Sequence, residues 1–432
     1  MLKKRYTVII YWAFIIALAA LYFTNDFGLV DIHKTSVVVA VGVDTVGDEV
    51  AVTAQIAVPQ PSQSGENIHY TMVQGTGLTI ADALNEINSK TGFYPKLQFL
   101  KLILIGEECQ SEDLFKILGC FYRRNFSELT ALVAMCQGRA EDMLAMPATI
   151  SPENTVAMQR ALSEELKKSA NVSTVNLKEI AKSNYSVTEF CYMPFIEANK
   201  EGTSESGGNG DNVGGESGGQ GGSSGGGSSG QNQSAGSGQS QGGSSGGESG
   251  GGSSGQSQSG GQDDKMEFTA RKTAVFSGGR FVSVLNEQQA FALNLLKNGV
   301  RLAVVPCDTD ETHYTVGLKN AKGSVKLKLD KGVPEVVVSF KAIAQVQGAK
   351  KILIPGNVLS DDAVKPEIIT AVKREVQRRF EELVKVSADN DCDILGVREL
   401  LHKHHHKYYE TMNETILKRM KVDYKLDIKS LN

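Results

Sequence analysis

TSVVVAVGVD (Thr35–Asp44) and EVAVTAQIAV (Glu49–Val58) are the stretch on which the fold turns. Both are dense in β-branched residues, and Val46-Gly47-Asp48 between them supplies the turn chemistry of a hairpin. Val50, Val52, Ala54, Ile56 and Val58 alternate onto one strand face. IHYTMVQG (Ile68–Gly75) predicts a third strand. Thr79 then opens a helix, with Asp82 at capping-box spacing and Ile80, Ala83, Leu84 and Ile87 as its apolar stripe. LKLILIG (Leu100–Gly106) is nearly continuously apolar, as an inner strand requires. A helix over about 111–122, a strand LTALVAMC (Leu129–Cys136) and a short helix at Ala140–Leu144 complete the unit.

Further along, Pro152 suits the first turn of a helix running to Ser169. A shorter helix at 177–182 and a strand SVTEFCYMPFIEA (Ser186–Ala198) follow. MEFTARKTAVF (Met266–Phe276) and RFVSVL (Arg280–Leu285) read as a hairpin turned at Ser277-Gly278-Gly279, with a helix over 286–296. Three more strands are predicted at RLAVVPC (Arg301–Cys307), GSVKLKLD (Gly323–Asp330) and PEVVVSFKAIAQV (Pro334–Val346). A long helix carries Ile369, Val372, Val376, Phe380 and Leu383 on one stripe. Another spans 393–418, and alternating KVDYKLDIKSL (Lys421–Leu431) closes the chain. Strands and helices interleave without a regular βαβ rhythm, which predicts an α+β protein of two or three mixed α/β domains.

Two segments fall outside that pattern. Lys3-Lys4-Arg5 forms a cytoplasmic basic tip (residues 1–5) before an uncharged run, YTVIIYWAFIIALAALYF. As a helix that run extends about 27 Å, enough to span a hydrocarbon core. Residues 6–24 are thus expected to be an uncleaved transmembrane anchor, with the body outside the cytoplasm by the positive-inside rule. A cleaved signal would use Ala17-Leu18-Ala19, but the apolar run continues past it. A lipoprotein needs a cysteine after the apolar core, and the first is Cys109.

The second segment is the tract from Glu201 to Gln262, which holds 26 of the chain's 45 glycines and no aromatic residue, Lys or Arg. It cannot offset its ordering entropy by burial, so residues 201–265 are expected to be disordered. They separate an N-terminal α+β region (34–200) from a C-terminal α+β domain (266–432), either as a linker or as an insertion in one hairpin. The tract contains no lysine and so no phosphate-binding GxxxxGK[ST] loop.

Chemistry is sparse. The net charge of −4 gives no basic field for nucleic acid. Six cysteines (Cys109, Cys120, Cys136, Cys191, Cys307, Cys392) are scattered and read as small buried hydrophobes. His402 and His406 could chelate a metal if helical, yet Lys403 and Lys407 would repel it and no acidic ligand lies between. In Asp391-Cys392-Asp393 the acidic neighbours would raise the thiol pKa. Arg123-Arg124, just after a helix, suit a helix C-terminus. No catalytic residue, cofactor site or metal site is expected, and the protein is expected not to be an enzyme.

The order of these pieces resembles the Ger(x)C family, the C-subunit of spore germination nutrient receptors. The resemblance rests on Val38-Val39-Ala40-Val41-Gly42-Val43-Asp44, on the strand Leu100–Ile105 with Gly106-Glu107-Glu108, on Phe121-Tyr122-Arg123-Arg124 and on Gly138–Leu144. In the second half it rests on Thr273–Phe276, Asp393-Ile394-Leu395-Gly396 and the terminal VDYKLDIKSL. It implies a non-enzymatic, membrane-anchored subunit acting in spore germination at the inner spore membrane. Its partners would be multi-span membrane subunits that recognise the nutrient. Gly42, Asp44, Gly106, Glu107, Arg123, Asp393 and Gly396 are motif positions without an assigned role. The chain departs from the family in lacking a lipidated cysteine and in carrying the glycine tract. A generic membrane-tethered envelope binding or scaffold protein is the alternative.

Overall fold

In the computed structural model, β1 (Thr35–Val46) and β2 (Glu49–Ser62) form the expected hairpin, turned at Gly47 with φ +62°. Glycine takes that backbone without a Cβ penalty. The structure describes residues 2–23, 35–62, 65–123, 128–146, 154–163, 169–200, 266–310, 312–330, 333–350 and 364–431. β3 (Gly65–Gly77) pairs antiparallel with β2. α2 (Ile80–Thr91) starts where the Thr79 hydroxyl accepts from the Asp82 amide, and buries Ile80, Ala83, Leu84 and Ile87. The 3.6-residue stripe read from sequence is its buried face.

β4 (Tyr94–Lys96) and β5 (Leu102–Ile105) both lie parallel to β1. A 3-10 turn (Glu107–Ser111) and α3 (Leu114–Arg123) lead to β6 (Leu132–Cys136), parallel to β5. α4 (Ala140–Ala145), α5 (Asn154–Ala161) and α6 (Leu177–Ser183) then lead to β7 (Phe190–Lys200), parallel to β6. The centre of this sheet is therefore crossover-connected, a parallel rhythm that strand-by-strand reading missed. β8 (Met266–Ser277) and β9 (Arg280–Leu285) finish the order β3-β2-β1-β5-β6-β7-β8-β9, with β4 beside β1. Both faces are covered. Ile87, Leu118 and Ile180 pack on the side of Val43 and Ile103, while Leu144 and Met158 pack on the side of Ala40 and Leu104. This explains why β5 is apolar throughout.

β7 and β8 pair antiparallel from Phe190↔Ser277 to Lys200↔Met266, so the glycine tract joins adjacent ends of one ladder. The tract's expected disorder lies outside the described residues. β8 and β9 were expected to open the C-terminal domain at 266, but their hydrogen bonds place them in the first sheet. Of the helix expected over 152–169, α5 covers Asn154–Ala161, while residues 152–153 and 164–168 lie outside the described residues.

A second sheet, β10 (Val300–Asp308), β11 (His313–Asp330), β12 (Val333–Ala349) and β13 (Lys421–Ser430), has β12 and β13 parallel and its other pairs antiparallel. β11 is longer than the predicted 323–330 because a bulge between Lys319 and Lys322, with Asn320 at φ +51°, carries one strand across a break in alternation. α7 (Glu287–Lys297) and α8 (Pro366–Asp389) pack against this sheet's inner residues, with Phe380 edge-on to Phe340 at 5.8 Å. Ile368 rather than Ile369 opens the buried stripe of α8. The helix predicted over 393–418 is three: α9 (Val397–His404), α10 (His406–Met412) and α11 (Ile416–Arg419). The chain bends at His405 (φ −136°, ψ 44°), and Met412, Ile416 and Leu417 join the core.

α1 (Leu2–Phe23) is helical, with Tyr6, Ile10, Trp12, Phe14 and Ile16 exposed. The side chains of residues 2–5, 7–9 and 20–23 lie outside the description. Among the described residues no helix is long and apolar enough to cross a membrane.

Candidate functional site

Four of the motif residues converge where β1, β5 and β6 end. Asp44 is buried, and its two carboxylate oxygens accept from the amides of Ala140 at 2.6 Å and Glu141 at 3.1 Å. It thus caps α4 from nearly a hundred residues away, because the residue in the local cap position, Arg139, makes no side-chain cap bond. Gly106 leaves room for that carboxylate: a Cβ there would collide with Asp44 Oδ1. Gly42, two residues earlier on the same strand face, lets α4 lie close, since a Cβ would stand 3.1 Å from both Ala140 Cβ and Leu144 Cδ1. Glu107 fixes the preceding turn twice, its amide donating to Gly138 O at 2.8 Å and its carboxylate accepting from Gly138 N at 3.0 Å. Gly138 sits at φ +68°, the position that sequence reasoning quoted without seeing its use.

Burial raises the Asp44 pKa, against the two amide bonds and Arg139, which act to lower it. The negative side chain satisfies two orphan amides of the helix and complements its dipole.

Asp393 repeats the device in the second core. Its carboxylate accepts from Val397 N at 2.6 Å and Arg398 N at 2.9 Å, capping α9 across Gly396, which is left-handed at φ +75°. Burial raises this carboxyl too, opposed by the amides and by Lys297. Arg398 holds the neighbourhood, donating to Asp391 Oδ1 at 2.7 Å and to Asn413 O at 2.9 Å. The Lys297 ammonium lies 5.4 Å from the Phe190 ring centroid. The Asp44 and Asp393 groups belong to separate cores. Arg123 ends α3, and its side chain lies outside the description.

Sequence reasoning also missed a buried polar link between the two halves. Ser173 Oγ is 2.7 Å from Thr273 Oγ1 and donates to Asn294 Oδ1 at 3.0 Å, while Asn294 Nδ2 donates to Ala170 O at 2.9 Å. Isolated Ser, Thr and Asn carry no periodic signal in sequence.

Five of the six thiols are buried, and Cys120 is half-buried. Burial pushes Cys109 and Cys307 up to about 11 and Cys392 up to about 12, and raises Cys136 and Cys191 as well. Thiolate chemistry needs the opposite environment. His402 and His406 face each other edge-on at 5.0 Å, with Tyr409 4.9 Å from His402, on two helices rather than one. Among the described residues no group of three His, Cys, Asp or Glu side chains is placed to hold a metal ion. An open groove of about 610 Å³ adjoins the first group, bordered by Thr45, Asp48, Glu49, Leu78, Lys116 and Ile117.

In each half a buried carboxylate caps the start of a helix. Residues 29–198 match the family described as "Spore germination protein N-terminal domain", and residues 271–431 match "Spore germination B3/ GerAC like, C-terminal". These matches cover most of the chain, which therefore belongs to the GerAC-like spore germination family, the germinant receptor C-subunits. No curated protein matches it. Among solved structures it is similar to the crystal structure of the GerBC protein, with a TM-score of 0.49 and 11% identity over 91% of this chain and 97% of that one.

Proposed function

We propose that this germinant receptor subunit is non-enzymatic, is held at the inner spore membrane by α1, and works beside multi-span partner subunits that recognise the nutrient. The observation that carries the reading is the ordered pair of family matches, one on each side of the glycine tract. The commitment of Asp44, Glu107 and Asp393 to backbone amides, together with the five buried thiols, supports a role without catalysis. For the anchor, α1 (Leu2–Phe23) opens with the basic Lys3-Lys4-Arg5 and continues through the uncharged Tyr6–Phe23, about 27 Å of helix.

Gentle-detergent purification from spores should bring multi-span membrane proteins down with this chain. Recovery of the intact chain without them would favour the generic envelope protein instead. Replacing Ile15 and Ile16 by Arg should release the chain or block its export, at about 2.5–3.5 kcal/mol each. A mature N-terminus at Ala20, or a lipid on a cysteine, would overturn the helix anchor.

A further inference from the structure

The second sheet has two unlike faces. On β12, Val336, Val338, Phe340 and Ala342 enter the core. On the opposite face β11 presents Lys319, Lys322, Lys326 and Lys328, in register with β12 and through it with β13. β12 adds Lys341 to this face, and β13 adds Lys421, Lys425 and Lys429. Four carboxylates share it: Glu335, Asp423, Asp427 and, at the end of β10, Asp308, which is bonded to His313 at 2.7 Å. All of these lysines are exposed except Lys319, which is half-buried. The excess is positive in a chain whose net charge is −4.

Among the described residues the one ion pair within this set is Lys425–Asp423, long at 3.9 Å and exposed, so it neutralises little. Lys322 stands directly opposite Lys341, a like-charge pairing that destabilises a sheet. An anionic partner would relieve that repulsion.

Two features narrow the partner. The field is built from lysines, which act as point charges, rather than from the planar forks that grip one phosphate or carboxylate, and so suits a diffuse anionic surface. The same face also turns apolar along its length. Leu302 pairs with Lys319, Ile343 lies between Lys319 and Lys429, and Val304 follows on β10, with Leu302 and Val304 each 36% exposed. Apolar side chains bordered by lysine stems with charged heads match the boundary between acyl chains and phosphate headgroups.

The geometry points to this face as a docking surface for anionic lipid headgroups, holding the body against the bilayer to which α1 tethers it. The inference rests on the anchor reading for proximity, and the test separates the two. The full-length chain is mixed with neutral phosphatidylcholine vesicles, or with vesicles containing about 30% phosphatidylglycerol, which attract each surface lysine about fivefold more strongly. Vesicles are floated, and lysine acylation is read residue by residue.

Lys322, Lys326, Lys421 and Lys425 should acylate at least fivefold more slowly on anionic vesicles than on neutral ones, by the same electrostatics. Lys90 and Lys178 should not change. High salt, or Lys→Gln at the four positions, should abolish the difference. Flotation with both vesicles but equal acylation overturns the lipid surface and leaves the anchor standing. Flotation with anionic vesicles alone, lost in the Gln variant, supports the surface and overturns the anchor; flotation with neither overturns both. Protection on neutral vesicles that appears only with partner subunits assigns the face to an acidic protein and overturns the lipid reading.

Discussion

A double-mutant cycle on Asp44 and Gly106 tests whether the first motif group works as one unit. Asp44→Ala removes two short hydrogen bonds from an ionised acceptor and leaves the Ala140 and Glu141 amides without it. Loss of a cap costs about 1–2 kcal/mol, and stranding a buried donor adds a further 1–3 kcal/mol, so about 3 kcal/mol is expected. Gly106→Ala should cost a similar amount by another route, because its methyl occupies the space of Asp44 Oδ1 and drives the carboxylate off the helix. With the carboxylate already absent, the methyl's remaining close neighbour is Ala140 N at 3.3 Å. The double variant should therefore lose about 3–4 kcal/mol rather than about 6, a coupling of roughly 2 kcal/mol. Urea unfolding of the full chain, followed by circular dichroism, reads all four corners. Additivity within about 0.5 kcal/mol would refute the shared space, and a harmless Asp44→Ala would refute the cap.

Three further outcomes follow from the structure. Gly396→Ala forces a Cβ onto a residue at φ +75° and should cost about 1–2 kcal/mol, with Gly396→Asn milder; equal stability of all three proteins would show that the turn relaxes. Because β7 and β8 pair up to Lys200↔Met266, replacing Gly202–Gly261 by about five Gly/Ser residues should keep the fold and raise stability by about 2 kcal/mol, and a misfolded product would contradict the hairpin. Burial lifts the carboxyls of Asp44 and Asp393, so the folded chain holds protons that the unfolded chain has released. Their contribution is full below the unfolded value near 3.9 and is lost as pH rises through the raised folded values. Denaturation across that interval should show the stability of the wild type falling relative to the Asp44→Asn, Asp393→Asn variant, and a relative rise would reverse the assignment.

Local signals were legible where burial and periodicity coincide. The Thr79 cap, the Ile80–Ile87 stripe and the Gly47 turn were readable because each is decided within about one helical turn or one hairpin. The parallel centre of the first sheet was not, because β1 and β5 are joined only through long-range pairing that leaves no mark on either strand's own pattern. The β7–β8 ladder is long-range in the same way, and local pattern leaves open whether the tract is a linker or an insertion in one hairpin. The long helix drawn over 393–418 failed for a different cause, since composition there is helix-permissive throughout while the core rewards a bent path. Motif residues were recognised by resemblance, but their work was invisible: nothing between Asp44 and Ala140 announces that one caps the other.

That invisibility bears on what the motifs are for. A carboxylate that caps its own helix gains little beyond that helix, whereas Asp44 ties the end of β1 to α4 across the sheet and requires Gly42 and Gly106 to make the approach possible. Asp393 works locally, capping the helix α9 that follows it, with Gly396 supplying the turn. In both halves the motif carboxylate fixes how a helix starts. On the proposed non-catalytic role, the lysine face and the open groove near Thr45 are where substitutions should alter germination without altering folding. The separation is measurable: Asp44 and Asp393 variants should lose stability and function together, whereas Lys→Gln variants of the sheet face should lose function with stability kept or, where Lys322 no longer faces Lys341, raised. Parallel loss in both sets would show that the face, too, is structural.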